Sequence, residues 1–386
     1  KRDIVGQPPA MSRAVSYGGS LQGTEDERFM RTCLTLASRG KGHVSPNPLV
    51  GAVLVTKGKI VAKGYHRKYG GPHAEVECLR RLSGDTSEAT LYVNLEPCTH
   101  YGKTPPCVDL ILQRGIRRVV VGMKDPNPLV AGKGIRRLRR AGVEVRVGVL
   151  RHEAEELNRF FVKHITTGMP YVHVKIAQTQ DGYIGRTGGT AGYITSQQSL
   201  KMVHRWRTEY DAILVGANTV KIDNPRLDVR LVPGRDPAVI IVDGRLSLAG
   251  TERVLSSASR RPVYVCTTQR AVARQATKAA ALRSLGIRML TFKTSSHRLD
   301  LRRVFAALYR EGIGSILVEG GRDIFSQCIE KNLVDELTLF TAPKKFWVGI
   351  PALTPTARKK VDRWMAQRPF LSRTMGGDHV LTGRIS

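Results

Sequence analysis

The stretch TLYVNLEPCTHYGKTPPCVDLILQRGIRRVVVGM (residues 90–123) decides the fold class of the first half of the chain. Its two apolar runs, Thr90–Leu95 and Arg117–Met123, predict buried strands. The paired prolines between them predict a helix over Pro105–Arg114, because proline is favoured at the first helical position. A strand, a helix and a second strand in this order indicate an α/β fold.

The alternation of strands and helices continues on both sides of this unit. The pattern predicts a first helix capped by Thr24 and a connecting helix over Glu153–Ile165, and turn residues at 167–170 predict a domain boundary. The other predicted strands are 49–55, 59–64, 144–149, 171–176, 212–215, 238–242, 263–266, 315–318 and 336–342, and the other predicted helices are 72–82, 134–141, 197–210, 301–311 and 324–332. We therefore expect a flexible segment over 1–23, one α/β domain over 24–168 and a second over 169–386.

Length and composition exclude several classes of protein. At 386 residues, the chain is too long for one ordinary core, which agrees with two domains. Its longest apolar run, Leu49–Val55, is far shorter than the roughly 18–20 residues needed to cross a bilayer, so we expect no membrane association. Six cysteines are too few for a disulfide scaffold, so we expect a soluble protein of a reducing, intracellular compartment.

The net charge of +30 is unusual. Residues 1–150 carry 25 basic and 12 acidic side chains (+13), and the rest carry 37 and 20 (+17), so the excess lies in both halves. Such a charge attracts polyanions, including phosphorylated metabolites and RNA. A generally basic proteome or compartment would explain it equally well. Together with the absence of an initiator Met, the charge slightly favours an organelle (mitochondrial matrix or plastid) over a bacterial cytoplasm.

The residues that carry recognisable chemistry are His73, Glu75, Cys98 and Cys107. One imidazole and two thiolates suit zinc, and three protein ligands leave the fourth tetrahedral position for water. Glu75 would take a proton from that water and pass it to a leaving amine, and His-x-Glu followed by Pro-Cys is the signature of a zinc deaminase. The remaining cysteines lack partners at ligand spacing and are expected to be packed core residues: Cys33, Cys78, Cys266 and Cys328.

Eight residues separate Cys98 from Cys107, whereas nucleic-acid and nucleoside deaminases usually have two, which argues against base editing. The segment 96–107 closely resembles the bifunctional riboflavin-biosynthesis enzymes, in which a pyrimidine deaminase is fused to a reductase. The segments PNPLVG (46–51) and DPNPLVAGKG (125–134) share this resemblance, which covers essentially residues 25–345. It implies an N-terminal cytidine-deaminase-like α/β/α sandwich and a C-terminal dihydrofolate-reductase-like α/β domain.

For the first domain, the resemblance implies zinc-dependent hydrolytic deamination of 2,5-diamino-6-ribosylamino-4(3H)-pyrimidinone 5′-phosphate. His73, Cys98 and Cys107 match the zinc ligands, and Glu75 matches the proton shuttle. Amide groups suit a pyrimidinone edge, and a lysine ammonium suits a phosphate. The positions that match residues holding the pyrimidine and its ribose phosphate are Asn47, His100, Lys103, Asp125 and Asn127.

For the second domain, the resemblance implies NADPH-dependent reduction of the ribosyl group to a ribityl chain. No G-x-G-x-x-G follows a predicted strand, so the Rossmann fingerprint is absent, and residues 216–227 are expected to form a polar loop. The guanidinium forks of Arg207 and Arg230 suit a phosphate. The positions that match cofactor contacts are Ala177, Tyr193, Thr219, Asp223, Gly320 and Gly321, and those that match substrate contacts are Lys175, Arg207, Arg230 and Glu319.

This second domain departs from the family pattern at several positions. Thr179–Gly182 replaces a Ser-Leu-Asp-Gly turn, Ala191 replaces a substrate-contacting serine, and Tyr193 replaces a tryptophan. Asp323 places an acid beside the expected phosphate site, where it would repel a phosphate. The segment Lys345–Ile350 replaces a glycine-rich stretch.

Three functions are open on the sequence alone. The first is an active bifunctional enzyme that uses zinc and NADPH, acts on a phosphorylated pyrimidine and forms a homo-oligomer by family analogy. The second is a working deaminase with an inactive reductase domain. The third is an enzyme-derived basic subunit of an RNA–protein assembly, such as an organellar ribosome. The candidate RNA contacts are the basic clusters 117–118, 136–140, 302–303 and 358–360.

Overall fold

The computed structural model describes residues 24–80, 82, 84, 86–99, 105–128, 130–188 and 192–385. The segment 1–23, expected to be flexible, lies outside these residues, as do His100, Lys103 and Ala191.

The N-terminal half (residues 24–168) is built on a five-stranded sheet. In chain order its elements are α1 (Glu25–Ser38), β1 (Gly51–Thr56), β2 (Lys59–Tyr65), α2 (Ala74–Leu79), β3 (Thr90–Leu95), α3 (Cys107–Gln113), β4 (Arg118–Met123), α4 (Lys133–Arg140), β5 (Glu144–Val147), α5 (Arg151–Leu157) and α6 (Arg159–Thr167). The strand order is β2-β1-β3-β4-β5, in which β3, β4 and β5 are parallel and β1 is antiparallel to both of its neighbours.

Both faces of this sheet are covered by helices. Successive side chains of a strand point to opposite faces. In β1, Ala52 and Leu54 pack with apolar residues of α2, α3 and α4, whereas Val53 and Val55 pack with those of α1. Thr24 caps α1 as predicted, because its hydroxyl accepts from the Glu27 N–H. The result is the predicted α/β/α sandwich.

The parallel pair β3 and β4 places two chemically important loops side by side. Carboxyl ends of adjacent parallel strands meet at one edge of a sheet. Glu96–Cys98 follows β3 and Asp125–Asn127 follows β4, so both segments lie at this edge.

The connecting helix predicted over Glu153–Ile165 is wrong in one respect: it is two helices, α5 and α6, which meet at Asn158. The Asn158 side chain accepts from the Leu49 N–H at 2.7 Å and donates to the Leu49 carbonyl at 3.0 Å. Asparagine side chains that bond to backbone compete with helix formation. This partner lies 109 residues away, so the local pattern does not reveal it.

The C-terminal half (residues 169–385) is built on a nine-stranded sheet. In chain order its elements are β6 (Tyr171–Thr179), β7 (Tyr183–Gly185), α7 (Gln197–Glu209), β8 (Ala212–Gly216), α8 (Ala217–Asp223), β9 (Ala238–Val242), a 3₁₀ helix (Leu255–Ser259), β10 (Val263–Thr268), α9 (Gln269–Arg274), α10 (Ala276–Ser284), β11 (Arg288–Phe292), α11 (Leu301–Arg310), β12 (Ser315–Gly320), α12 (Arg322–Glu330), β13 (Glu336–Ala342), β14 (Ile350–Pro351), α13 (Pro355–Gln367), β15 (Phe370–Met375) and β16 (Asp378–Arg384).

The order in this sheet is β11-β10-β9-β8-β12-β6-β13-β16-β15. The strands from β11 to β13 are parallel, and β16 is antiparallel to both of its neighbours. The polar loop expected over 216–227 is wrong in its first part, because α8 begins directly after β8. Ala217 and Val220 bury one side of this short helix against the core, and one apolar residue per turn is too weak a pattern to predict it. The cysteines expected to be structural are buried and free: Cys33, Cys78, Cys266 and Cys328.

Candidate active sites

The three predicted zinc ligands come together beside the carboxyl end of β3. His73 Nδ1 lies 3.2 Å from Cys107 Sγ and 3.6 Å from Cys98 Sγ, and all three ligand atoms lie within 4.8 Å of one another. His73 is the N-cap residue of α2, Cys107 is the first residue of α3, and Cys98 follows β3. One imidazole nitrogen and two sulfurs at these separations fit a zinc ion with one open coordination position.

Glu75 is buried beside this cluster, with 3% of the residue exposed. Burial, followed by the negative charge of Cys98, raises the pKa of Glu75 to about 7. The pKa of Cys98 is itself lowered, chiefly by a hydrogen bond from the Cys107 thiol and then by one from His73. A carboxyl group that titrates near neutral pH can both accept and donate a proton.

A cavity of about 240 Å³ adjoins the cluster. Its wall contains three predicted pyrimidine contacts, Asn47, Asp125 and Asn127. The same wall contains His73, Glu75 and Cys98. The structure therefore brings the predicted ligands, the predicted proton carrier and amide groups suited to a pyrimidine to one cavity.

His66, which no sequence motif marks, fixes the side chain of Asn47. Its Nδ1 donates to the Pro72 carbonyl at 2.9 Å, so its Nε2 is the acceptor that faces Asn47 Nδ2 at 3.1 Å. Burial lowers the pKa of His66, which favours the neutral ring that this arrangement needs. His66 lies between β2 and α2 without a recognisable pattern around it, so only the structure reveals its role.

Glu96 is the second residue whose role appears only in the structure. It is 4% exposed, and its carboxylate accepts hydrogen bonds from backbone N–H groups of the loop after β4 and of the first turn of α4. A buried carboxylate needs such donors to offset the loss of hydration. These bonds fix the loop that carries Asn127 against the end of β3. The donors are Asp125, Gly132, Gly134 and Ile135, at 2.8–3.2 Å.

In the C-terminal half, Arg207 and Glu319 form a buried bidentate ion pair, with N–O distances of 2.7 and 2.8 Å. The third guanidinium nitrogen of Arg207 donates to the Asp228 carbonyl at 2.8 Å. The Arg207 fork, expected to suit a phosphate, therefore lies on Glu319, and its contact with a substrate stays a prediction. Burial alone raises the pKa of Glu319, but Arg207 and then Lys175 outweigh it and hold that pKa below its usual range.

Arg230 shares Asp228 as a hydrogen-bond partner with Arg207. Its guanidinium bonds to Asp228 Oδ1 at 2.6 Å and to the Tyr193 hydroxyl, and 34% of its side chain is exposed. Arg230 is therefore the predicted phosphate contact that keeps access to a ligand. Tyr193 is itself exposed, and Lys344 Nζ donates to its carbonyl at 2.9 Å.

Gly320 and Gly321, at the end of β12, pack against α8. A Cβ on Gly320 would lie 2.9 Å from Thr219 Oγ1, and one on Gly321 would lie 3.0 Å from the same atom. The neighbouring Arg322 has a buried Nε that no hydrogen bond satisfies in the described part of the chain. A side-chain-free backbone beside an unsatisfied guanidinium N–H fits a cofactor phosphate. Asp323, expected to repel that phosphate, is exposed.

The remaining predicted positions surround this region. Ala177 lies on β6 two residues after Lys175, and Asp223 is the exposed last residue of α8. Asp181 accepts from the Phe346 and Trp347 N–H groups at 3.0 and 2.8 Å. Asp181 thus anchors the segment 345–350 that departs from the family pattern.

Both halves match known families. Residues 23–123 match the cytidine and deoxycytidylate deaminase zinc-binding region, and residues 170–349 match the RibD C-terminal domain. The riboflavin biosynthesis protein RibD of Aquifex aeolicus is 43% identical over 357 residues, which cover 92% of this chain and 97% of that protein. The chain belongs to the RibD family.

Solved RibD structures share the whole architecture. The deaminase/reductase structure from Thermotoga maritima is 35% identical, with a TM-score of 0.79 over 94% of this chain and 99% of that one. Acinetobacter baumannii RibD is 32% identical, with a TM-score of 0.81 over 94% and 99% of the two chains. The RibD protein of Bacillus amyloliquefaciens is 42% identical over 82% of this chain and 84% of that protein.

Membership of the RibD family confirms the predicted fold class, a cytidine-deaminase-like N-terminal unit and a dihydrofolate-reductase-like C-terminal unit. It also confirms the prediction of a riboflavin-biosynthesis enzyme with deaminase and reductase activities, for which zinc and NADPH are the cofactors. Among the described residues, no helix has the length and apolar character required to span a membrane.

Proposed function

We propose that this chain catalyses two successive reactions, one in each half. The first is hydrolytic deamination of 2,5-diamino-6-ribosylamino-4(3H)-pyrimidinone 5′-phosphate, and the second is reduction of the ribosyl group of the product to a ribityl chain. Convergence of His73, Cys98 and Cys107 beside the buried Glu75 carries the proposal. The Thermotoga maritima relative bears the names of both activities. Residues 24–168 would form the deaminase domain and 169–386 the reductase domain.

The deamination chemistry follows from the protonation of Glu75. Zinc held by His73, Cys98 and Cys107 would supply Lewis acidity, which lowers the pKa of a water to about 7. As the water oxygen bonds to C2 of the pyrimidine, Glu75 takes one water proton and gives it to the ring nitrogen of the C2=N bond. It then takes the remaining hydroxyl proton as C2=O forms and gives it to the 2-amino nitrogen. The C2–N bond breaks and ammonia leaves. The buried Glu75 carboxyl, in the cavity wall beside His73 and Cys98, suits both transfers.

Substrate binding in this half is assigned to polar groups of the cavity wall. Asn47 commits its Nδ2 to His66, so its Oδ1 is the atom that would accept from a pyrimidine N–H. Asp125 and Asn127 would meet the substrate from the loop that Glu96 holds. The positions matched by motif alone, outside the described residues, are His100 for the substrate and Lys103 for its phosphate.

The reduction is assigned to the carboxyl-end edge of the nine-stranded sheet. NADPH would supply the hydride that adds to C1′. The C1′–O4′ bond of the ribose ring breaks, and a proton goes to the released O4′, which completes the conversion of ribosyl to ribityl. Lys175, with the paired Arg207 and Glu319, would present fixed charges to the substrate, and Arg230 would contact its phosphate. The residues assigned to the cofactor are Ala177, Tyr193, Thr219, Asp223, Gly320 and Gly321.

Two measurements on the purified chain test this function. Elemental analysis should find about one zinc per chain, as three converging ligands require, and the diaminopyrimidine should release ammonia. The deaminated product should then support oxidation of NADPH. A folded chain that releases ammonia without zinc would refute the metal mechanism. A chain that releases ammonia but never oxidises NADPH would restrict the function to deamination.

The basic surface supports a second candidate role, binding to RNA. Helix α4 (KGIRRLRR) exposes Arg136, Arg137, Arg139 and Arg140, which places four guanidinium groups on one short helix. Phosphate contacts of this kind weaken steeply with salt. Filter binding of a single-stranded RNA should therefore be measurable at 50 mM salt and nearly lost at 200 mM. An absence of binding at 50 mM would exclude this role.

The family resemblance also supports a homo-oligomer. The unpaired thiols support a reducing compartment, either in an organelle or in a bacterial cytoplasm. Leu371 on the edge strand β15 is 66% exposed, and all six cysteines are free. Light scattering should give a mass of at least two chains, and thiol titration in denaturant without reductant should find six free thiols. A monomeric mass would rule out the oligomer.

A further inference from the structure

A turn of the N-terminal half packs against the C-terminal half. Lys41 Nζ lies 3.0 Å from Glu209 Oε2, and a Cβ on Gly42 would come within 2.2 Å of the Thr208 carbonyl oxygen. Ser45 Oγ donates a hydrogen bond of 2.7 Å to Asp211 Oδ2. A cavity of only about 50 Å³ is left between the two surfaces, so the turn is closely supported.

Asp211 is held in place by its own half of the molecule. Its Oδ2 accepts from the Gly314 N–H at 2.9 Å, the Ser315 N–H at 3.0 Å and the Ser315 hydroxyl at 3.1 Å. A Cβ on Gly314 would lie 3.3 Å from Asp211 Oδ2 and 3.5 Å from Ser45 Oγ, so this position has little room for a larger residue. The carboxylate is therefore a fixed acceptor for Ser45.

Ser45 and Asn47 belong to one turn, which the Asn47 N–H closes on the Val44 carbonyl at 2.9 Å. Ser45 bonds across to the C-terminal half, whereas the Asn47 side chain bonds to His66 in the deaminase cavity. Asn47 lines both this cavity and the small cavity between the halves. A shift of Ser45 would consequently move Asn47.

We propose that Asp211 of the C-terminal half is a positioning residue for deamination, which holds Asn47 against the pyrimidine through Ser45. This inference rests on the proposed deaminase function. Asp211 precedes β8, whereas Thr219 and the cofactor region follow the other end of that strand, about 16 Å away at the usual rise of a strand. Loss of the Ser45–Asp211 bond should therefore impair deamination and spare reduction.

The test compares single variants of the full-length chain in both reactions. Ser45→Ala removes the hydroxyl, and we expect KM for the diaminopyrimidine to rise about five- to tenfold, the usual worth of one hydrogen bond. The deaminase kcat should change less than twofold, because the Asn47 side chain bonds to His66 and, among the described residues, not to the ligands or Glu75. Ser45→Thr should restore KM. Lys41→Met, which removes another contact across the same interface, is the matched control and should leave KM within twofold.

Amide hydrogen exchange of residues 43–49 gives a readout that needs no activity. Exchange should accelerate in Ser45→Ala and stay unchanged in Lys41→Met. An unchanged KM together with unchanged exchange in Ser45→Ala would overturn the inference, and so would equal losses of deamination and reduction. If wild-type chain released no ammonia, the proposed function would fail, whereas the exchange data would still decide whether Asp211 holds this turn.

Discussion

The two candidate sites are assembled in different ways. In the N-terminal site, His73 and Cys107 lie 34 residues apart, and the ligands lie at the N-terminal ends of α2 and α3 and directly after β3. In the C-terminal site, Arg207 and Glu319 lie 112 residues apart and meet only because the nine-stranded sheet is complete. The spacing of the ligands along the sequence determines the first site, whereas the packing of the nine-stranded sheet determines the second. Their chemistry should therefore be separable, so that a change in one site leaves the reaction of the other intact.

The largest effect is expected when the proton carrier of the N-terminal site is removed. Glu75→Gln leaves the ligands intact, so zinc content should stay near the wild-type value while ammonia release falls about 10²- to 10⁴-fold. NADPH-dependent reduction of the deaminated product should be unchanged. Ammonia assays and elemental analysis measure these outcomes. Loss of zinc from the variant, or a parallel loss of reduction, would contradict separable sites.

Removal of the Glu319 charge in the C-terminal site should lower the stability of this half as well as its reductase activity. Glu319→Gln leaves the Arg207 guanidinium buried without its countercharge, which should lower the free energy of unfolding by about 3 kcal/mol. The three tryptophans all lie in this half, at positions 206, 347 and 364, so their fluorescence during urea unfolding reports on it alone. Ammonia release should stay within twofold.

A surface pair supplies the control for this measurement. Arg358 and Asp362 pair at 3.0 Å with side chains about half exposed, so Asp362→Asn should cost less than about 0.5 kcal/mol. If Glu319→Gln and Asp362→Asn lowered the free energy of unfolding equally, the buried pair would stabilise this half no more than an exposed one.

The same contrast explains how much the sequence could predict. The zinc ligands and Glu75 were predictable because a motif specifies both their chemistry and their spacing, and strand β3 matches its predicted bounds, Thr90–Leu95. The partner of Arg207 was not predictable, since hydrophobic periodicity predicts burial but does not identify a partner 112 residues away. The break between α5 and α6 at Asn158 was not predictable for the same reason, because the Asn158 side chain bonds to the distant Leu49.

Acid should destabilise the C-terminal half through a buried histidine. His173 is 1% exposed, and its ring bonds to the Tyr210 and Thr338 hydroxyls at 2.9 Å each. Burial lowers its pKa to about 4. An unfolded chain binds the proton below about pH 6.5 and the folded chain does not, so stability should fall as pH decreases from 6.5 towards 4. Between pH 7 and pH 5, this histidine should account for a decrease of about 2 kcal/mol in the free energy of unfolding.

His173→Gln keeps a polar side chain that does not titrate. The difference in the free energy of unfolding between pH 7 and pH 5, followed by tryptophan fluorescence, should shrink by about 2 kcal/mol relative to wild type. His297→Gln, at an exposed position, should leave the difference unchanged. A wild-type pH dependence in His173→Gln would assign the acid sensitivity to other groups.

The smallest effect is expected at Gly320, in the segment assigned to the cofactor. A substitution there by alanine changes the packing and leaves the charge of the site unchanged. In Gly320→Ala the new Cβ would meet Thr219 Oγ1 at 2.9 Å, so either the Thr219 side chain or the backbone must shift. KM for NADPH should rise about tenfold, equivalent to about 1.4 kcal/mol. Gly185→Ala is the control, because within the described part of the chain its Cβ meets only Ile350 Cδ1, at 3.9 Å. Ammonia release should be unchanged in both. If Gly320→Ala bound NADPH as wild type does, the close contact with Thr219 would not shape the cofactor site, and Arg322 would be left as its main determinant.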